Sequence, residues 1–127
     1  MEIKTGDMKA DIAVIFGSGL STSPGTGSFR TMADYNDVEQ LPVPSVTGHP
    51  GRIDYFRSGD GIGMFLFMGR SHLYEGITFH QAGATVRVAA EMGCNRVLIT
   101  SAAGCLVPDI PLGSWLAAGS VAALPFR

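Results

Sequence analysis

Arg70, His72, Tyr74 and Glu75 stand between two glycines in "GRSHLYEG", residues 69–76, directly after the apolar run Met64–Met68. If residues 68–74 stay extended, the two-residue repeat of a strand points Arg70, His72 and Tyr74 to one side and Ser71 and Leu73 to the other. Arginine offers a planar fork for phosphate oxygens and histidine a further hydrogen-bond donor, while tyrosine packs its ring on a sugar and keeps a hydroxyl available. Together they fit a phosphate beside a ribose. The same text also reads as a solvent-exposed strand end, with a hydrated arginine and a histidine paired to Glu75.

Two further polar clusters follow apolar runs. In "GSGLS", residues 17–21, glycines flank Ser18, so backbone N–H groups can approach an anion while the hydroxyl adds a donor. A Gly-Ser-Gly of this kind also serves merely to reverse a chain, and no full Gly-x-Gly-x-x-Gly is present. In "TSAAG", residues 100–104, small side chains leave room for a ligand against the backbone, or equally for tight packing. His49, between Gly48 and Pro50, is held out of helical geometry by the proline and reads as a surface turn or a site residue. His80 reads as a helix-surface residue, and Cys105 has no evident base to make it a nucleophile.

These clusters need a scaffold that brings strand ends together. "DIAVIFGSG" predicts a buried strand from Ile12 to Phe16 ending at a glycine turn. Residues 21–28 are all Ser, Thr, Gly or Pro and read as a surface loop without regular structure. "PVPSVTGHPG" must be extended and turning, a connector that positions His49. Strands over 52–57 and 64–68, separated by an Asp-Gly step, predict an antiparallel hairpin. From Thr78 to Met92 apolar residues Phe79, Ala82, Val86, Ala89 and Ala90 recur at helical steps, so one helix is predicted, stopped at Gly93 and followed by the strand "RVLIT". Residues 115–124 read as a last strand. This order predicts an α/β fold, a mixed central sheet flanked by helices, with ligands beyond the carboxyl ends of the strands.

With 127 residues, 46% of them hydrophobic and 16% charged, the chain suits one domain with a real core. A formal charge of −2 provides no electrostatic footprint for nucleic acid or an anionic membrane. Cys94 and Cys105 form neither a disulfide framework nor a zinc motif, no metal site is expected, and no signal-type or bilayer-length apolar segment appears, so a cytoplasmic protein is expected.

In order, "IFGSGL", "VTGHPGRI", "GRSHLYEG", "VRVAAEMG" and "LITSAAGCLVP" followed by "GS" resemble the trimeric class of purine nucleoside phosphorylases over residues 12–114. Phosphorylases of the methylthioadenosine branch are less similar, lacking the His-x-Tyr-Glu-Gly text. The resemblance implies that residues 1–127 are the amino-terminal part of such a domain, an incomplete phosphorylase/hydrolase-like fold with 115–127 diverged. It implies phosphate binding by Ser18, Arg70, His72 and the backbone of Ala102, ribose contact by Tyr74, and a purine lining of Ala103 and Gly104. His49, His72 and Glu75 fall on catalytic or supporting positions. The implied reaction is phosphorolysis of a purine nucleoside to free purine and ribose 1-phosphate, a transferase reaction of purine salvage. Inorganic phosphate is the co-substrate, no cofactor is needed, and the assembly is a homotrimer. Two positions depart from the family: Ser101 stands where many relatives carry Asn, and the family's Asp-His pair falls on Ser120 and Val121. A non-catalytic phosphate- or nucleoside-binding half-domain, or a truncated subunit, is the alternative, and hydrolysis by water a third reading.

Overall fold

The computed structural model describes residues 3, 5–20 and 26–122. Five strands form one mixed sheet: β1 (Ile12–Ile15), β2 (Gly27–Asp34), β3 (Arg52–Ser58), β4 (Gly63–Met68) and β5 (Arg96–Ile99), in the spatial order β2-β3-β4-β1-β5. The apolar run at Ile12 takes an inner position, parallel to β4 on one side and β5 on the other. β2, β3 and β4 are antiparallel neighbours. The hairpin predicted at Asp60-Gly61 is present, with Gly61 at a φ of 85° and its N–H donating to the Ser58 carbonyl at 2.9 Å.

Strand pleating divides the core in two. Ala13, Ile15, Ile53, Phe65 and Phe67 join Tyr35 and the helical Ala84, Val88 and Ala89 in one cluster. The alternate residues Val14, Phe16, Phe56, Leu66 and Met68 form the second, to which no helical residue contributes among the described residues. Helix packing is thus confined to one of these two clusters.

Four expectations need correction. Gly27 and Ser28 open β2, where a loop was expected, while residues 21–25 lie outside the described residues. β2 is a sheet edge whose first five residues are exposed, so no apolar run marks it; pairing with β3 and the Phe29–Phe56 ring contact hold it there.

The predicted single helix is two pieces, α1 (Phe79–Ala82) and α2 (Ala84–Glu91), separated at Gly83, which has no side chain to favour helix over turn. Ala84, Thr85, Val88 and Ala89 are buried, whereas Phe79, Val86 and Ala90, placed on the core face by unbroken periodicity, are exposed.

Residues 115–122 have no regular structure where a strand was expected, and 123–124 lie outside the described residues. Their small-residue middle provides little apolar side-chain surface to hold a strand against a neighbour. The fourth lies in the octapeptide, at the candidate site.

α1 begins with a reciprocal cap: Thr78 Oγ1 accepts from the Gln81 N–H at 3.2 Å, and Gln81 Oε1 accepts from the Thr78 N–H at 2.8 Å. Thr78→Ala is expected to lower stability by about 1 kcal/mol, read as a shift of the urea midpoint at constant slope.

Candidate functional site

The carboxyl ends of β1, β4 and β5 lie side by side because these strands run parallel, and each ends in one of the polar clusters. At the end of β1, Gly17 lies so close to the end of β5 that an added Cβ would sit 2.4 Å from the Thr100 carbonyl oxygen. Only glycine permits that approach. The Gly17 N–H donates to Thr100 Oγ1 at 3.0 Å, which locks the Ser18 turn onto β5.

Arg70 reaches the same place from β4. Its Nη1 donates to the Thr100 carbonyl at 2.9 Å, so the guanidinium lies beside the Gly17-Ser18 turn. Burial lowers its pKa, an effect partly opposed by the Tyr74 phenol, but an arginine starts so high that it stays cationic at neutral pH. Among the described residues no carboxylate pairs with it, the one ion pair being Arg52–Asp54.

His49 is buried, which excludes the surface-turn reading. Its Nε2 lies 3.1 Å from Ser18 Oγ, and its Nδ1 lies 2.9 Å from the Arg70 carbonyl oxygen and 3.3 Å from the Arg70 N–H. The proline-rich connector therefore does position His49, between the first and second polar clusters.

The octapeptide does not continue as a strand. β4 stops at Met68, Gly69 takes a φ of 102°, and Leu73–Glu75 form a 3-10 turn closed by Gly76. A turn with a left-handed glycine at each end satisfies backbone groups locally that an extended segment would leave unpaired. The polar side chains still gather. His72 stacks on Tyr74 at a centroid distance of 4.9 Å, and its ring lies 5.6 Å from that of His49. His72 Nε2 is buried without a hydrogen-bond partner among the described residues. Burial, then the neighbouring Arg70 and His49, lower the His72 pKa against a smaller opposing pull from Glu75, which favours the neutral imidazole.

Glu75 does not pair with the His72 ring. Its carboxylate accepts from the His72 N–H and from both the N–H and hydroxyl of Ser45, at 2.7 and 2.6 Å. Those bonds, the Ser45 hydroxyl first, hold its pKa below the usual carboxylate value. Glu75 thereby ties the turn to the connector that carries His49. Tyr74 is 75% exposed, and Ala102, Ala103 and Gly104 follow Thr100 as exposed chain without regular structure. The structure thus gathers Ser18, His49, Arg70 and His72, with Tyr74 beside them, while residues 102–104 continue as exposed chain.

Three participants were not singled out from sequence. Thr100 acts through its carbonyl as well as its hydroxyl, Ser45 through its N–H and its hydroxyl, and Tyr35 through a hydrogen bond from its hydroxyl to the Gly69 carbonyl at 2.8 Å. Thr100 had a signal in its position at a strand end; the other two had none. A groove of about 600 Å³ lined by Ile3, Val38, Glu39, Val88, Glu91 and Met92 shares no residue with the cluster. Convergent donors, not cavity size, mark the candidate site.

No protein-family profile matches the chain. It is 33% identical over 107 residues to the purine nucleoside phosphorylase of Bos taurus, covering 84% of this chain and 37% of that protein. It is 33% identical over 93 residues to purine nucleoside phosphorylase 1 of Geobacillus stearothermophilus, covering 73% and 34%. A crystal structure of Schistosoma mansoni purine nucleoside phosphorylase matches with a TM-score of 0.67 at 29% identity, over 85% of this chain and 39% of that one. The chain is related to the purine nucleoside phosphorylases over most of its own length, and it spans little more than a third of theirs. No helix among the described residues is long and apolar enough to cross a membrane.

Proposed function

We propose that this chain carries the anion-holding part of a purine nucleoside phosphorylase, corresponding to the amino-terminal part of that domain. The observation that supports this most directly is the Arg70–Thr100 hydrogen bond at 2.9 Å, which puts a cation without a carboxylate partner among the described residues beside Ser18 and His72. In this reading orthophosphate lies against Ser18, Arg70, His72 and the backbone of Ala102. Tyr74 lies along the ribose, and Ala103 and Gly104 border the purine. A phosphate oxygen forms a bond to the anomeric carbon as the glycosidic bond breaks, and that bond's electron pair leaves with the purine, which takes up a proton. The sugar gains oxocarbenium character in between, so a phosphate dianion held next to it both stabilises the charge and adds to it. Arg70 holds that anion without giving up its own proton. The group that meets the departing purine belongs, in this proposal, to the share of phosphorylase length that this chain does not span.

Cytoplasmic location fits the free thiols Cys94 and Cys105, and trimeric assembly is carried over from the resemblance alone. A second reading, a phosphate- or nucleoside-binding unit without turnover, is favoured by the chain's spanning only 37% of its Bos taurus relative. Incubating the chain with inosine, with and without orthophosphate, separates these readings. Phosphate-dependent release of hypoxanthine supports phosphorolysis, binding of orthophosphate without release supports the second reading, and release without phosphate indicates hydrolysis. Absence of orthophosphate binding overturns the proposal.

A further inference from the structure

Tyr35 is 1% exposed and contributes nothing to the surface of the candidate site, yet it touches two of the chain segments that build it. Its N–H donates to the Gly51 carbonyl at 2.7 Å, two residues after His49, and the Gly51 N–H donates to the Met68 carbonyl at 3.0 Å. Its hydroxyl donates to the Gly69 carbonyl at 2.8 Å, one residue before Arg70. Burial, and secondarily the charge of Asp54, raise its pKa, so the phenol keeps the proton it donates.

The Gly69 carbonyl and the Arg70 N–H are opposite ends of one planar peptide unit. Holding the oxygen therefore fixes the direction of the N–H, which points at His49 Nδ1 over 3.3 Å. A competing acceptor, the Arg70 carbonyl, belongs to the next peptide unit and lies 2.9 Å from the same nitrogen. Only one of these bonds forms with a neutral imidazole. If Nδ1 accepts from Arg70, the ring proton is on Nε2 and points at Ser18 Oγ, leaving the serine's own proton for a ligand. If Nδ1 carries the proton and donates to the Arg70 carbonyl, Nε2 accepts, and the serine proton is spent on His49.

We propose that Tyr35 is a positioning residue that, by gripping the 69–70 peptide, biases His49 toward the tautomer protonated on Nε2 and so frees the Ser18 hydroxyl to donate to a bound oxyanion. The oxyanion half of this statement rests on the phosphate reading above; the tautomer half does not. The test is histidine-selective nitrogen-15 NMR on the whole chain at a pH of about 8.5, above the ordinary imidazole range, combined with titration by orthophosphate. Tyr35→Phe is expected to raise the fraction of His49 protonated on Nδ1 and to weaken orthophosphate binding by about 5- to 10-fold, with the circular dichroism spectrum retained. An unchanged or oppositely shifted tautomer ratio in the folded variant overturns the proposal. Failure of both proteins to bind orthophosphate overturns the phosphate reading, while the tautomer ratio still decides the role of Tyr35. Should Tyr35→Phe not fold, 3-fluorotyrosine at position 35 alone preserves the shape while strengthening the donor. The Gly69 carbonyl and His49 Nδ1 signals must then move together, and movement of Gly69 alone overturns the coupling.

Discussion

Arg70→Ala is expected to weaken orthophosphate binding roughly 30- to 150-fold, from the loss of about 2–3 kcal/mol of charge-assisted hydrogen bonding, in a chain that still folds. The guanidinium is half-buried and has no carboxylate partner among the described residues, so its removal does not strand an opposite charge in the core. What the fold loses is one bond to the Thr100 carbonyl at the end of β5, beside exposed chain where water can replace it. Arg70→Lys should fall between the two proteins, because an ammonium restores the charge without the planar fork. Calorimetric titration with orthophosphate reads the affinity, and circular dichroism reads the fold. An affinity within threefold of the original in folded Arg70→Ala would remove residue 70 from the anion site.

Gly69→Ala is expected to cost about 2–5 kcal/mol of stability, a large share of what a domain of this size holds. Two causes act together. At a φ of 102° an L-residue is strained by roughly 1–2 kcal/mol, and the added Cβ would fall 2.6 Å from His49 Cβ and 2.9 Å from its Cγ. His49 cannot swing aside without breaking its contacts to Ser18 and Arg70, so the crowding costs a further ~1–3 kcal/mol. Gly76→Ala is the control: its φ of 83° carries the backbone strain, while nothing lies within 4 Å of its added Cβ. Urea midpoints of the two variants isolate the steric part. Equal losses would show that His49 is not held against Gly69.

Much of the scaffold was readable because burial writes itself into side-chain type. Ile12–Ile15, Met64–Met68 and residues 97–99 are apolar runs ended by small or polar residues, and the Asp-Gly step fixed the hairpin. β2 escaped because its early side chains face solvent, so nothing distinguishes them from a loop until β3 lies alongside. The helix was placed but not its buried face: steps of three and four from Phe79 fit Val86 and Ala90 as well as Ala89, and only packing against the sheet selects Ala84, Thr85, Val88 and Ala89. Gathering of Ser18, Arg70 and His72 was legible from glycine turns that end parallel strands. The contacts that hold them were not. Thr100, Tyr35 and, in part, Ser45 act on or through backbone amides and carbonyls, which nearly every residue type offers, and the Ser45 hydroxyl meets a carboxylate 30 residues away in sequence.

β5 presents Val97, Leu98 and Ile99 in unbroken succession, a composition suited to a strand covered above and below, yet it is the outermost member of the sheet and exposed along its length. In the chain as it stands that row meets water, and any surface that comes to cover it, from this polypeptide or another, would bind the native form in preference to the unfolded one and so add to its resistance to denaturation.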